Sequence, residues 1–213
     1  ELTGITVSFN SAQLEWWLSL PIIVIYPLLF GWVSYQTATK LAEHKRRLQV
    51  MSTRDGMTGV YNRRHWETML RNEFDNCRRH NRDATLLIID IDHFKSINDT
   101  WGHDVGDEAI VALTRQLQIT LRGSDVIGRF GGDEFAVIMS GTPAESAITA
   151  MLRVHEGLNT LRLPNTPQVT LRISVGVAPL NPQMSHYREW LKSADLALYK
   201  AKKAGRNRTE VAA

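Results

Sequence analysis

Cysteine is almost absent from this chain of 213 residues, in which Cys77 stands alone. A single cysteine cannot form an intramolecular disulfide, so a reducing compartment is the simple expectation. The sequence also lacks internal repeats, low-complexity tracts and any basic stripe interleaved with aromatic residues. The last of these absences argues against nucleic acid as a partner, although the net charge of +3 still permits anionic ligands.

Charged residues are missing from one stretch, residues 16–36, which read WWLSLPIIVIYPLLFGWVSYQ. A helix that crosses a membrane needs roughly 20 apolar residues, and tryptophan and tyrosine often lie at both of its ends. We therefore predict that residues 1–36 contain the last transmembrane helix of a membrane region, with a buried soluble helix as the alternative. A larger membrane region is expected before it, because the chain begins without methionine. Basic residues in 40–47 predict a cytoplasmic C-terminal side.

A charged segment, residues 37–54, follows the apolar stretch. Leu41, Leu48 and Met51 have heptad spacing, with His44 at the intervening position. Two heptads are compatible with a short dimerising coiled coil and equally with a solvated helical linker. The segment therefore predicts a helical connection to the domain that comes after it.

The remaining residues, 55–213, alternate helical and strand-like patterns in the order α-β-α-α-β-β-α-β-α, with a short final strand. This order contains the ferredoxin-like βαββαβ unit, so we predict an α+β, palm-type fold. Its central sheet should be largely antiparallel, with helices on one face. Predicted helices cover about 62–80, 93–99, 107–121, 143–161 and 187–204, with a loop at 100–106. Predicted strands cover Ala84–Ile91, 125–130, 135–140 and 169–177.

Acidic residues stand at the ends of two predicted strands. Asp90 and Asp92 interrupt the continuous apolar run ATLLIIDI, where a buried charge is costly unless it is paired or binds a metal. Gly131 and Gly132 form the turn of a predicted hairpin; they let the backbone take φ > 0 and leave no side chain above it. A polyanion could lie on such a turn, and the carboxylates that follow it are suitable ligands for Mg²⁺. An ordinary hairpin with an acidic tip is the alternative.

Four motifs occur together in a fixed order: DGMTGVYNRR (55–64), DIDHFKSINDTWGHDVGDEAI (90–110), RFGGDEF (129–135) and ADLALYKAKKAGRN (194–207). In this the chain resembles the GGDEF domain of bacterial diguanylate cyclases over roughly residues 53–209. The resemblance implies that two GTP molecules are condensed into cyclic di-GMP, with release of two pyrophosphates, at a homodimer interface. Together with the apolar stretch, it implies a membrane-anchored enzyme of the bacterial inner membrane with a cytoplasmic catalytic domain.

The resemblance also implies metal and catalytic residues. Asp90, Asp133 and the backbone carbonyl of Ile91 match the ligands of two Mg²⁺ or Mn²⁺ ions in each half of the active site. Glu134, catalytic with Asp133, matches a residue that contacts ribose and metal, as general base, ligand or positioning group. The alternative is that Asp90 caps the next helix and Asp133 is a solvated turn residue.

Six further residues match positions that hold the GTP substrate in the resembling family. Asn98 and Asp107 match the pair that recognises guanine, and the alternative for each is a helix cap. The backbone N–H groups of Phe94 and Lys95 would bind the terminal phosphates at a helix start. Lys202 and Arg206 match the side chains that hold these phosphates, and a solvated lysine is the alternative for Lys202.

A second site is implied by the motif RxxD at Arg122 and Asp125. An extended chain spans about 3.3 Å per residue, so this motif should lie roughly 20 Å from the glycine turn. In the resembling family this offset marks an inhibitory site for cyclic di-GMP, to which Arg153 of a neighbouring subunit could contribute. A surface ion pair is the alternative for the motif. For the whole chain, the alternatives are a non-catalytic domain that binds GTP or cyclic di-GMP, and a membrane scaffold whose catalytic fold is incidental.

Overall fold

The computed structural model describes residues 24–41, 53–164, 166 and 168–212. The chain divides into two units, Glu1–Ser52 and Thr53–Ala213. In the first unit, residues 24–41 form an exposed helix, α1. None of the helices within the described residues combines the length and the apolarity that crossing a membrane requires. Residues 16–23 and 42–52 lie outside the described residues, so the apolar span and the coiled coil stay predictions.

The second unit alternates helices and strands in nearly the predicted order. Its helices are α2 (Arg63–His80), α3 (Phe94–Trp101), α4 (His103–Thr120), α5 (Ala144–Thr160) and α6 (Tyr187–Lys203). Its strands are β1 (Tyr61–Asn62), β2 (Ala84–Ile91), β3 (Val126–Arg129), β4 (Glu134–Ser140), β5 (Ile173–Pro179) and β6 (Thr209–Val211). The strand β1 is the one element that the sequence patterns did not predict.

These strands form one sheet in the order β1-β3-β4-β2-β5-β6. The four inner strands are antiparallel neighbours, which is the arrangement of a ferredoxin-like βαββαβ core and confirms the predicted fold class. The short strands β1 and β6 extend the sheet in parallel at its two edges. As a result, β2 lies in the centre, where all eight of its residues are buried.

Helices cover both faces of the sheet, so the prediction of helices on one face is wrong. One face of β2, with Leu87 and Ile89, packs against α4 and α5. The other face, with Leu86 and Ile88, packs against α2 and α6. An uninterrupted apolar strand already indicates this arrangement, because a strand with one solvated face would alternate apolar and polar residues.

The predicted loop at 100–106 is also wrong, because α4 begins at His103. Gly102 has a φ of 88° and separates α3 from α4 by itself, so a one-residue turn replaces the loop. The close packing of α6 on β5 depends on Gly176. A Cβ at this position would collide with the backbone of α6 at Ala194 and Leu198. This contact seats α6 directly on the sheet and fixes where its last turn lies.

Candidate active site

The end of β2 meets the turn between β3 and β4 at one edge of the sheet. Asp90 is paired in register with Glu134, and the Ile91 N–H donates to the carbonyl of Asp133 at 3.4 Å. The sheet therefore brings the acidic residues of the two motifs side by side, as the sequence predicted. Asp90 does not cap the next helix, because His93 occupies the N-cap position of α3.

The carboxylate of Asp90 is 8% exposed and faces one cation. Burial raises its pKa, the Lys202 ammonium at 2.7 Å from Oδ2 lowers it, and the negative charges of Asp133 and Glu134 raise it again. The net pKa lies above the ordinary value for aspartate. Asp133 and Glu134 thus add negative charge near the Asp90–Lys202 ion pair, so a further cation would be stabilised here. This ion pair also excludes a solvated Lys202.

The oxygen atoms at this edge suit Mg²⁺, which prefers carboxylates, carbonyls and phosphates. Among the described residues, however, no group of three or more acidic, histidine or cysteine side chains could hold a metal ion by itself. Mg²⁺ is commonly bound by one or two carboxylates together with substrate phosphates. Asp90, Asp133 and the carbonyl of Ile91 therefore fit a metal ion that arrives with its nucleotide.

The turn between β3 and β4 contains the two glycines of the motif. Neither Gly131 nor Gly132 has a positive φ, so the turn does not use the left-handed conformation that glycine permits. The expected open space is confirmed, because a Cβ placed on Gly132 would meet no atom within 4 Å. Gly132 therefore provides room above the turn, whereas a Cβ on Gly131 would lie 3.1 Å from Glu134 Oε2.

Arg129 holds the turn through hydrogen bonds, a role that was not predicted from the sequence. Its guanidinium donates to the carbonyl of Gly132 from Nη2 at 2.7 Å and from Nε at 3.2 Å. Its Nη1 donates to Asp55 Oδ1 at 3.2 Å. Burial raises the pKa of Asp55, but hydrogen bonds from Thr58 and Arg129 outweigh burial and hold it below the ordinary value. Arg129 thus joins the first turn of the folded unit to the acidic turn.

The predicted guanine-binding residues belong to the paired helices α3 and α4. Asn98 and Asp107 lie inside these helices, so neither is an N-cap. Asn98 Oδ1 is buried without a hydrogen-bond partner, packed where Gly106 leaves room for it. Asp107 is exposed and lines a cavity of about 500 Å³ that Asn98 does not line. The unpaired amide oxygen of Asn98 can accept a hydrogen bond from a ligand. The structure does not, however, bring Asn98 and Asp107 to one cavity.

The predicted phosphate-binding groups come from two helix ends. Phe94 and Lys95 begin α3, where backbone N–H groups lack partners within the helix. Lys202 lies in the last turn of α6, and Gly205, with a φ of 110°, follows that helix as predicted. The Arg206 N–H then closes the helix end on the carbonyl of Ala201 at 3.0 Å. Arg206 itself is exposed with a φ of 60°.

Comparison with known families agrees with this arrangement of motifs. The family model described as "Diguanylate cyclase, GGDEF domain" matches residues 52–208. The chain belongs to this family. The GGDEF domain defined by that match contains all the candidate site residues described above.

Individual relatives are consistent with the family assignment. The domain is 35% identical over 159 residues to diguanylate cyclase DosC of Escherichia coli K12, covering 74% of this chain and 34% of DosC. It is 35% identical over 171 residues to diguanylate cyclase DgcM of the same strain, covering 79% of this chain and 41% of DgcM. The chain therefore spans between a third and half of the length of these relatives.

A solved structure gives the same fold. The GGDEF domain of DgcB from Caulobacter crescentus, crystallised in complex with c-di-GMP, superposes with a TM-score of 0.71 at 30% identity. The match covers 75% of this chain and 93% of the DgcB chain.

A cavity distant from the acidic turn contains the predicted second-site residues. Arg122, Asp125 and Arg153 together line about 310 Å³ of space between α4, β4 and α5 of the GGDEF domain. Arg153 lines this cavity from the same chain, whereas a neighbouring subunit was predicted to supply it. The cavity lies before β3 and the glycine turn follows it, so the two candidate sites lie at opposite ends of this strand.

Asp125 is held by the backbone rather than by a side-chain ion pair. The Arg122 N–H donates to Asp125 Oδ2 at 2.9 Å, while Oδ1 is buried without a partner. Burial raises the pKa of Asp125 above its ordinary value, against the influence of Arg122. No ion pair joins the two side chains in the described part of the domain, so the simple surface-pair alternative is not what the structure contains.

Proposed function

We propose that this chain is a diguanylate cyclase that condenses two GTP molecules into cyclic di-GMP and releases two pyrophosphates. The observation that carries the proposal is the pairing of Asp90 with Glu134 and Lys202 at one edge of the sheet, beside Asp133. A cluster of carboxylates with too little positive charge suits a reaction whose substrate arrives as a metal complex.

In the proposed mechanism each residue binds or orients a part of GTP. Asn98 and Asp107 contact guanine, and Arg206, Lys202 and the first N–H groups of α3 contact the terminal phosphates. Lys202 neutralises Asp90 in the free domain and exchanges this partner for phosphate when the metal complex binds. Such positioning lowers the barrier because the reacting groups are already aligned.

Asp90, Asp133 and the Ile91 carbonyl would hold Mg²⁺ or Mn²⁺, which would lower the pKa of the ribose 3′-hydroxyl and neutralise phosphate charge. The 3′-oxygen of one GTP attacks the α-phosphorus of the other, and the bond to pyrophosphate breaks. Glu134 lies next to the acidic turn, where it can orient the ribose and accept the proton of the 3′-hydroxyl. Two such displacements close the ring, so two domains must face each other as a homodimer.

The direct test is to incubate the chain with GTP and Mg²⁺ and to separate the products by chromatography. We expect cyclic di-GMP and pyrophosphate in a ratio of 1 to 2, with ATP as the control substrate that is not converted. The specific activity should rise with protein concentration, because two domains have to meet. Bound GTP without turnover would instead support the non-catalytic alternative.

Product inhibition is a second proposed property, favoured by the cavity at Arg122 and Asp125. The cavity offers two arginines and one carboxylate oxygen that lacks a partner, which suits a phosphate and a guanine edge. Cyclic di-GMP contains both of these groups. Equilibrium binding of cyclic di-GMP in the absence of GTP tests this property separately from catalysis.

Attachment to the bacterial inner membrane is also part of the proposal, with the GGDEF domain on the cytoplasmic side. Its support is the uncharged stretch at residues 16–36 and the basic residues that follow it. Fractionation of cells that express the chain, with and without residues 16–36, would test the attachment.

A further inference from the structure

Asp92 is a buried carboxylate that the proposed mechanism does not use. It is 5% exposed and stands just after β2, two positions beyond Asp90. Its Oδ1 accepts a hydrogen bond from Ser174 Oγ at 2.7 Å, and its Oδ2 accepts one from the Asn207 N–H at 2.8 Å. A buried carboxylate is costly unless it is hydrogen-bonded, and both of its oxygens are used here. Asp92 therefore joins the sheet, through Ser174, to the segment that follows α6.

That segment has an unusual backbone. Gly205, Arg206 and Asn207 are consecutive residues with φ angles of 110°, 60° and 47°. Left-handed conformations are unfavourable for residues other than glycine, and they persist where surrounding contacts hold them. Three hydrogen bonds hold the backbone of the two non-glycine residues. The Arg206 N–H donates to Ala201, the Asn207 N–H donates to Asp92, and the Arg206 carbonyl accepts from Arg208 Nε at 3.3 Å.

We propose that Asp92 is a positioning residue, which fixes the segment 205–207 so that Arg206 and Lys202 flank the acidic edge of the sheet. This inference rests on the proposed function, in which these two side chains bind the terminal phosphates of GTP. The bond to Asp92 connects residues 115 positions apart in the sequence and ends one residue from Arg206. Without it, the left-handed pair loses one of its three backbone hydrogen bonds, and the segment that carries Arg206 is no longer tied to the end of β2.

The test compares two nucleotides on the whole chain. The first is 3′-deoxy-GTP, which lacks the attacking hydroxyl and cannot be converted, and the second is GMP, which lacks the terminal phosphates. In the presence of Mg²⁺, Asp92→Ala should weaken binding of 3′-deoxy-GTP by about tenfold, the typical effect of losing a charge-assisted hydrogen bond. Binding of GMP should stay within about twofold of the wild type, because its contacts lie on α3 and α4.

Two variants separate positioning from loss of structure. Asp92→Asn should restore most of the affinity, since its amide oxygen can accept from the Asn207 N–H while its NH₂ group donates to Ser174 Oγ. Ser174→Ala removes only the bond on the sheet side and should weaken 3′-deoxy-GTP binding less than Asp92→Ala does. If Asp92→Ala does not fold, Asp92→Ser replaces it, because a serine hydroxyl is too short to bond both partners.

The possible results have distinct meanings. Equal weakening of 3′-deoxy-GTP and GMP, or no weakening of either, would overturn the positioning role while leaving the proposed function intact. A wild-type chain that binds neither nucleotide would overturn the proposed function and this inference with it. A further check is Arg206→Ala: in that background Asp92→Ala should have little additional effect, because the two residues act on the same phosphates.

Discussion

The support of the acidic turn by Arg129 leads to the most specific prediction. Replacement of Arg129 by methionine keeps an unbranched apolar stem but removes the guanidinium, and with it two hydrogen bonds to the Gly132 carbonyl and one to Asp55. The ion pair is largely shielded, with side-chain exposures of 13% for Arg129 and 24% for Asp55. Bonds of this kind contribute about 1.5–3 kcal/mol, so we expect the free energy of unfolding to fall by about 2 kcal/mol.

The loss of stability can be measured by thermal unfolding of the GGDEF domain. For a domain of this size, about 2 kcal/mol corresponds to a decrease in Tm of about 5 °C. Turnover of GTP should fall more, by about 100-fold in kcat, because a displacement of about 1 Å in a catalytic group has effects of that order. Arg129→Lys is the matched control: it keeps the charge but cannot form the fork on Gly132, so its kcat should lie between the two.

The pH dependence provides the test that would refute this explanation. The pKa of Asp55 is lowered in the folded state, so its contribution to stability is present above the ordinary carboxyl pKa. That contribution disappears as the pH falls through the lowered value and Asp55 becomes protonated. The difference in unfolding free energy between wild type and Arg129→Met should therefore shrink at acidic pH. A difference that stays constant from neutral to acidic pH would show that Asp55 is not the partner that matters.

Three other predictions concern separate parts of the domain. Asp133→Ala should abolish cyclic di-GMP formation while the Tm changes by less than about 2 °C, since a half-exposed turn residue adds little stability; unchanged activity would contradict the site. Arg122→Ala should leave the initial rate unaltered but remove inhibition by added product, and inhibition at the same product concentration would exclude the second site. Gly176→Ala should lower the unfolding free energy by about 2 kcal/mol or more, because its Cβ meets the α6 backbone, and Gly123→Ala, where a Cβ meets nothing, is its control.

Local sequence patterns predict best those helices and strands whose burial follows from their own residues. The run ATLLIIDI predicted the observed bounds of β2, because a continuous apolar segment has to be buried wherever it lies. The same run already indicated two covered faces, although the prediction placed helices on one. The position of α4 was predicted four residues late, since Gly102 makes a turn of one residue and no pattern of polar residues marks it.

The contacts that complete the candidate site could not be predicted, because they join distant parts of the chain. Arg129 and Asp55 are 74 positions apart, and Asp92 and Asn207 are 115 positions apart. Neither pair has a periodic or local signal, and each depends on how the strands pair and how α6 packs on β5. All four residues lie within the motifs that carry the family resemblance. The motifs do not show which residues contact one another, so these pairings required the fold.

The charge of Asp90 at the end of β2 has an electrostatic cost in the folded domain. Asp90 is buried at the end of the central strand, where burial and two neighbouring carboxylates disfavour its charged form. One lysine offsets only part of this cost, and a neutral residue at position 90 would remove both the burial cost of this charge and its repulsion with Asp133 and Glu134. The stability of the fold alone therefore does not account for an aspartate at position 90. Under the proposed function, a cation that binds here with phosphates would relieve the repulsion, so the cost in the free domain would become affinity for the metal–nucleotide complex.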